Sequence, residues 1–311
     1  MLKKSAFRRI AVTSVALFIF TIISIFPTSL NDHFESETTT NPSVYGAIYL
    51  IDPNQYVART QVVIKNNDSL NQAKEIIEML TINGKKSHYL PNGFTAVIPS
   101  GTKVEEIDIQ NGILKINFNE TFLKIPKGAE EDVIESLIYS LTEIKDVQGL
   151  LIYVNGELMT KLPNTNIKLP TTLTRDYGIN KIYDLTKIQN VTKTTTYYVS
   201  KYQDFLYYVP VTEITNNEKE KVEIIIERLK SSPTHQTNLM SYLNANAELL
   251  DYEILENDIH LSFNQYLLDD FQNKQILEEV EYSIALSMKD TLDVQAVNFS
   301  INGEKITTKR N

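Results

Sequence analysis

Apolar residues recur along the chain with two periods, and the same succession of periods occurs twice. Ala73, Ile76, Ile77 and Leu80 fall at helical spacing, and so do Val222, Ile225, Ile226 and Leu229. Ile113–Asn119 alternates apolar and polar residues as a half-buried strand does, and Asp258–Asn264 alternates likewise. A second helical stripe, Val133, Leu137 and Leu141, returns as Val280, Ile284 and Met288. Each series closes on Asp-Val-Gln, an apolar strand and Asn-Gly-Glu: Asp146–Gln148 with Asn155–Glu157, then Asp293–Gln295 with Asn302–Glu304. The offset holds near 145–149 residues, roughly, through all four landmarks, which marks an internal duplication.

The pattern predicts strand, strand, helix, hairpin, helix, strand in each copy. In the first copy Val44–Ile51 reads as a buried strand, and Asp68-Ser69 caps a helix from Leu70 to about Thr81. Asn111-Gly112 joins the strands Lys103–Gln110 and Ile113–Phe118. A helix follows over about Glu130–Ile144, then the strand Gly149–Val154. In the second copy strands are expected at Tyr197–Val199 and Phe205–Val211, and a helix over Asn217–Lys230. A hairpin across Glu256–Asp258 comes next, then a helix from about Asn273 to Met288 and a closing strand, Val294–Ile301. Helices with one apolar stripe and strands with one apolar face bury each other best as a sheet covered on one side. The fold class is therefore α+β, with two repeated two-layer α/β sandwich domains.

Residues 1–27 read as a transmembrane anchor. Lys3, Lys4, Arg8 and Arg9 precede an apolar run, Ile10–Phe26, of about 17 residues, near the lower limit for a spanning helix. The basic flank places a single-pass chain with its soluble domains on the extracytoplasmic side of the cell membrane. Phe26 and Pro27 make a poor signal-peptidase site, so the run is expected to be retained. Residues 28–43 form a polar tether, 44–158 the first domain, 159–194 a linker packing between the repeats, and 195–306 the second domain. Leu185 and Ile188 give that linker apolar side chains with which to pack.

The formal charge is −9 and no Lys/Arg-rich stripe with interleaved aromatics appears beyond the first residues, so nucleic acid is not an expected partner. There is no Cys, which removes disulfides, thiol catalysis and Cys-based metal sites together. His33, His88, His235 and His260 lack metal-ligand spacing. Glu130-Glu131-Asp132 reads as an acidic helix start favoured by the dipole. Ser100-Gly101 and Ser287 lack a nucleophile-elbow context. Tyr197, Tyr198, Tyr202, Tyr207 and Tyr208 suit either a sheet core or an aromatic platform for glycan. No catalytic, cofactor-binding or metal-binding residue is assigned, and no cofactor is expected.

The assembled segments resemble the GerMN domain family of bacterial sporulation and spore germination. In the first copy the resemblance runs from Ala96–Val104 through Gly112–Phe118 and the Val133-Leu137-Leu141 helix to Val147–Leu150 and Val154–Glu157. The second copy, about Thr195–Glu304, keeps the hairpin, the helix and the Asn-Gly-Glu ending. Leu243–Ala247 replaces the Ile-Pro-Ser-Gly-Thr segment there. The resemblance implies a non-enzymatic extracytoplasmic scaffold of tandem type, with domains similar to ring-building modules, in an envelope complex of sporulation or germination. Its partners would be the membrane, through the N-terminal helix, and envelope proteins or further copies of itself. A peptidoglycan-binding accessory module and a cell-wall hydrolase are the alternatives. The prototype of the family is a lipoprotein, whereas this chain has no thiol to acylate.

Overall fold

A computed structural model of the protein describes residues 44–231 and 238–306. The apolar run Ile10–Phe26 lies outside them. The single-pass membrane placement is corrected on this point: no helix of the described residues is long and apolar enough to cross a membrane. The longest of them has 15 residues, against the roughly 20 that a bilayer core requires.

The first repeat contributes strands β1 (Val44–Ile51) and β2 (Val57–Ile64), helix α1 (Ser69–Leu80), strands β3 (Val104–Gln110) and β4 (Ile113–Phe118), helix α2 (Glu130–Leu141), and strands β5 (Gly149–Val154) and β6 (Glu157–Leu158). A short strand, β7 (Ile182–Asp184), lies in the intervening segment. The second repeat supplies β8 (Thr192–Tyr202), β9 (Phe205–Thr215), α3 (Lys221–Lys230), β10 (Leu249–Leu255), β11 (Asp258–Phe263), α4 (Glu278–Leu292), β12 (Ala296–Ile301) and β13 (Glu304–Lys305).

The strands of one repeat do not make one sheet, and the expected two-layer sandwich is corrected accordingly. β3-β4-β5-β6 and β10-β11-β12-β13 are separate four-stranded sheets of identical order. In each, the middle pair is parallel and the outer pairs antiparallel. The remaining hairpins, β1–β2 and β8–β9, join through β2 and β9 into a central sheet belonging to both repeats. The junction pairs Arg59 with Tyr208. The next antiparallel pair would be Val57 with Pro210, but Pro210 has no N–H to offer. Asn180 takes its place. Its Oδ1 accepts the Val57 N–H at 3.0 Å, and its Nδ2 donates to the carbonyls of Val57 (2.8 Å) and Pro210 (2.7 Å). Further along that edge β9 is covered by β7, which runs parallel to Glu213–Thr215.

Local chemistry explains the element boundaries. Asp68 caps α1 by accepting the Asn71 N–H at 2.9 Å. Asn111-Gly112, Asn155-Gly156 and Asn302-Gly303 all have positive φ at both residues, the geometry of tight two-residue hairpins. The Ile-Pro-Ser-Gly-Thr segment and its replacement each close on an i to i+3 backbone bond, but only the first has positive φ at its third residue, Gly101 (+86°). Thr102 N–H reaches the Pro99 carbonyl at 3.1 Å, and Ala247 N–H the Asn244 carbonyl at 2.9 Å. α3 begins at Lys221 and not at Asn217, because the Asn217 side chain takes the Lys219 N–H and holds a local turn. α4 begins at Glu278 and not near Asn273, because Asp270 accepts the Gln272 and Asn273 amides. β8 extends back to Thr192. Its run of threonines suits a strand as β-branched residues do, and Thr195 and Thr212 bond through their hydroxyls at 2.9 Å.

The helices cover the central sheet, α2 over β1 and α3 with α4 over β8. Leu137 on α2 and Ile284 on α4, equivalent by the repeat offset, are both fully buried. In the intervening segment Leu162, Leu169, Leu173 and Ile179 are buried. Leu185 and Ile188 are exposed, Ile188 by 93%, so the expectation that these two would do the packing is corrected: they follow Asp184, past the stretch that Asn180 ties down.

Candidate functional site

The densest buried chemistry lies where the two hairpins meet beneath α2 and α4. Tyr49 on β1 and Tyr197 on β8 are 148 positions apart and touch through their phenol oxygens at 3.0 Å. Equivalent side chains serve each of them. Ser140 Oγ on α2 accepts the Tyr49 N–H, and Ser287 Oγ on α4 accepts the Tyr197 N–H, both at 2.8 Å. Glu143, just after α2, accepts from Tyr49 Oη at 3.1 Å. Asp290 on α4 accepts from Tyr197 Oη at 2.5 Å. Each phenol has one proton. Tyr197 commits its proton to Asp290 at the shorter distance, and Tyr49 divides its own between Glu143 and Tyr197.

Arg175, from the intervening segment, closes the cluster. Its Nη2 meets Glu143 Oε1 at 2.7 Å, and its Nη1 pairs with Asp290 Oδ1. Nε donates to Thr142 Oγ1 at 2.9 Å and Nη2 to the Tyr139 carbonyl at 3.2 Å. The guanidinium also lies 5.0 Å from the centre of the Tyr139 ring, within cation–π range. Arg59 approaches Glu143 more loosely, at 3.9 Å. Two cations thus face two carboxylates, so the buried charge balances.

Burial pushes the Tyr49 and Tyr197 phenols well above their usual range, and the neighbouring carboxylates add to this. Both stay neutral hydrogen-bond donors. Burial opposes ionisation of Glu143 too, but Arg175 and then Arg59 outweigh it and hold the carboxyl below its ordinary value of 4.5. The sign follows: the contribution of Glu143 to stability is present above about pH 4.5 and is lost as pH falls through its lower folded-state value. The Glu143→Gln protein should therefore lose less stability than the parent between about pH 5 and pH 3. Urea midpoints measured across that range check this, and parallel curves for the two proteins would refute it.

A second buried group fixes the intervening segment to α2. Glu135 accepts the Asn180 N–H at 2.8 Å and pairs with Lys181 Nζ at 2.5 Å, while Glu131 meets the same ammonium at 2.9 Å. Burial alone would lower the Lys181 pKa; Glu135 and Glu131 raise it instead. Glu130 takes the Asn164 and Thr165 amides at 2.5 and 3.1 Å. The acidic start of α2 therefore binds backbone and a lysine of this chain.

The other residues singled out in the sequence are scattered. His33 and His235 lie outside the described residues. His88 packs on Tyr89, and His260 is on β11. Ser287 serves the Tyr197 amide and Ser100 is an exposed turn residue. Tyr197, Tyr198 and Tyr207 are buried and Tyr202 and Tyr208 half-buried, so most of the tyrosine cluster is core. No group of three or more His, Cys, Asp or Glu side chains able to hold a metal occurs among the described residues. The cluster around Arg175 escaped the sequence reading, although a signal was present: Tyr49 with Tyr197, Ser140 with Ser287 and Glu143 with Asp290 keep the repeat offset within one residue. The arrangement makes the two repeats one packed unit; its chemistry is that of a lock.

A family model described as "Germane: Sporulation and spore germination" matches residues 47–160 and 195–307. Among curated proteins, the spore germination protein GerM of Bacillus subtilis (strain 168) is 30% identical over 270 residues, spanning 84% of this chain and 72% of that protein. Among solved structures, the tandem GerMN domains of the sporulation protein GerM from Bacillus subtilis superpose with a TM-score of 0.76 at 29% identity, covering 86% of this chain and 94% of that one. The first GerMN domain of the same protein matches 43% of this chain and 98% of its own length, with 30% identity and a TM-score of 0.40.

Proposed function

Because the chain belongs to the Germane family of sporulation and spore germination proteins, we propose that it is a non-enzymatic scaffold that helps assemble an envelope complex in one of those processes. Its parts are a domain over 44–158, a domain over 195–306, and a connecting segment between them that holds the two in place. Its partners are envelope proteins or further copies of the same chain.

One observation carries this reading. The buried chemistry at the junction is spent on joining two heads, the four-stranded sheets with their helices, and among the described residues each head keeps an edge strand with no strand beside it, β3 in one and β10 in the other. An unpaired edge is a ready surface for association. A unit with two such heads can repeat a modest contact around an axis, where ring closure and avidity supply the strength that one contact lacks.

The test is cross-linking in envelopes of sporulating cells. The chain has no Cys, so single cysteines placed on exposed positions such as Glu105 and Leu250 report without competition. Adducts to the same chain or to another envelope protein are expected from at least one head. Absence of adducts at every position, together with saturable binding of purified peptidoglycan, would replace the scaffold with the wall-binding alternative.

A further inference from the structure

The two heads share a fold but differ in charge and in apolar exposure beside the edge strands β3 and β10. Lys103 and Glu248 are equivalent, since each gives its N–H to the asparagine just after the second strand of the following hairpin, Asn119 (3.0 Å) and Asn264 (3.2 Å). β3 and β10 each have seven residues, with a register shift after the first, so Glu105 corresponds to Leu250. On the preceding helices Ile77 corresponds to Ile226, and Lys74 to Glu223. The basic pair Lys74 and Lys103 of the first head is thus an acidic pair, Glu223 and Glu248, in the second.

The groove between α1 and β3 is lined by as many lysines as glutamates, and its edge strand exposes Glu105 and Glu106. Charged side chains on an edge discourage another strand from adding. The groove between α3 and β10, about 460 Å³, has four carboxylates against the single Lys230. Glu227 is paired with Lys219. Glu223, Glu248 and Asp251 have no basic partner within ion-pair distance among the described residues. This edge strand exposes charge as well, at Asp251 and Glu253, but three apolar side chains stand open beside it: Leu250 is 52% exposed, Ile254 47% and Leu255 49%.

We propose that β10 and the groove beside α3 form the docking site for an extended, basic segment of a partner protein, which adds to the sheet as a fifth strand. The N–H and C=O groups on the outer edge of β10, which pair with no strand among the described residues, supply the main-chain bonds of such an addition. Lysine or arginine side chains of the segment meet Glu223 on α3 and Asp251 and Glu253 along β10, and apolar side chains cover Leu250 and Ile254. A second copy docking through its own β3 fits poorly, because Glu105, Glu106 and Asp108 would approach Asp251 and Glu253, and like charges across a ladder destabilise it. This inference narrows the scaffold reading above to one partner chemistry. It is tested on the purified full chain, so its failure leaves the envelope cross-linking result standing.

The probe is the fluorescently labelled, capped peptide Lys-Val-Lys-Val-Lys-Val-Lys, with Glu-Val-Glu-Val-Glu-Val-Glu and a version carrying proline at the central lysine as controls. Anisotropy titration should show saturable binding of the first peptide only, weakening as salt is raised. Hydrogen exchange should show new protection at residues 249–255. Glu223→Lys with Glu248→Lys should weaken binding by about tenfold or more, while Glu105→Lys with Glu106→Lys, an equal change of net charge, should not. The milder Glu223→Gln with Glu248→Gln gives the same reading if the lysine pair fails to fold. No binding, equal loss from both lysine pairs, equal binding of the proline peptide, or protection elsewhere overturns the proposal.

Discussion

The Arg175→Ala protein will be less stable than its parent by about 3–5 kcal/mol, the usual loss when one member of a buried ion pair is removed. The substitution deletes the partner of Asp290, which is 3% exposed, and the nearer cation of Glu143, which is 25% exposed. It also strips a donor from Thr142 Oγ1 and another from the Tyr139 carbonyl. Most of the loss is the burden of leaving carboxylates buried without a counter-charge. Two further proteins separate that burden from the worth of the arginine itself. Arg175→Lys keeps the charge but lacks the fork that serves Glu143 and Asp290 together, so it should fall between parent and alanine. Arg175→Met combined with Glu143→Gln and Asp290→Asn removes every charge of the trio and should recover a large part of the loss. Guanidinium midpoints rank the four proteins. A loss under about 1 kcal/mol for Arg175→Ala, the scale of an exposed pair, would mean that the cluster does not hold the repeats.

Leu137→Ala and Ile284→Ala should each cost about 2–5 kcal/mol, the range for truncating a fully buried aliphatic side chain. The two residues are equivalent by offset, and both have zero exposure. The loss combines the transfer of the removed methyl groups with the cavity left under a helix that cannot fully settle. Both sites lie in one connected core that spans the repeats, so either substitution should move the whole transition. Urea unfolding followed by far-ultraviolet circular dichroism checks this. A midpoint unchanged at either position would disprove the equivalence of the two helices.

These two residues show how far the chain could be read unaided. Leu137 and Ile284 were legible because helical spacing and the repeat offset agree, and both signals are local. The Asn-Gly hairpins were legible for the same reason, since few residues other than Asn and Gly accept positive φ. The central sheet was not legible. Alternation tells which face of β2 or β9 is apolar, but it says nothing about which edge lies beside which strand far along the chain. Thr192–Thr194 looked like a linker because the apolar side of this stretch is made of methyl groups on polar residues. Asn180 was invisible as well, because its task is set by a proline thirty residues later. At the junction, Tyr49 and Glu143 belong to different elements, and only folding brings them together.

Like meets like where the repeats join: Tyr49 touches Tyr197, and Glu143 and Asp290 share one arginine. Such a contact is isologous, the kind through which two identical subunits form a closed pair. As separate molecules, the halves would come apart on dilution, and their stability would depend on how many were present. Here 148 residues separate the two tyrosines along one chain, so each half always finds the other at a high effective concentration. Joining the repeats should therefore add no concentration dependence to the unfolding temperature, and any that is measured reports contacts between separate copies. Each unit is therefore complete before it meets its first neighbour.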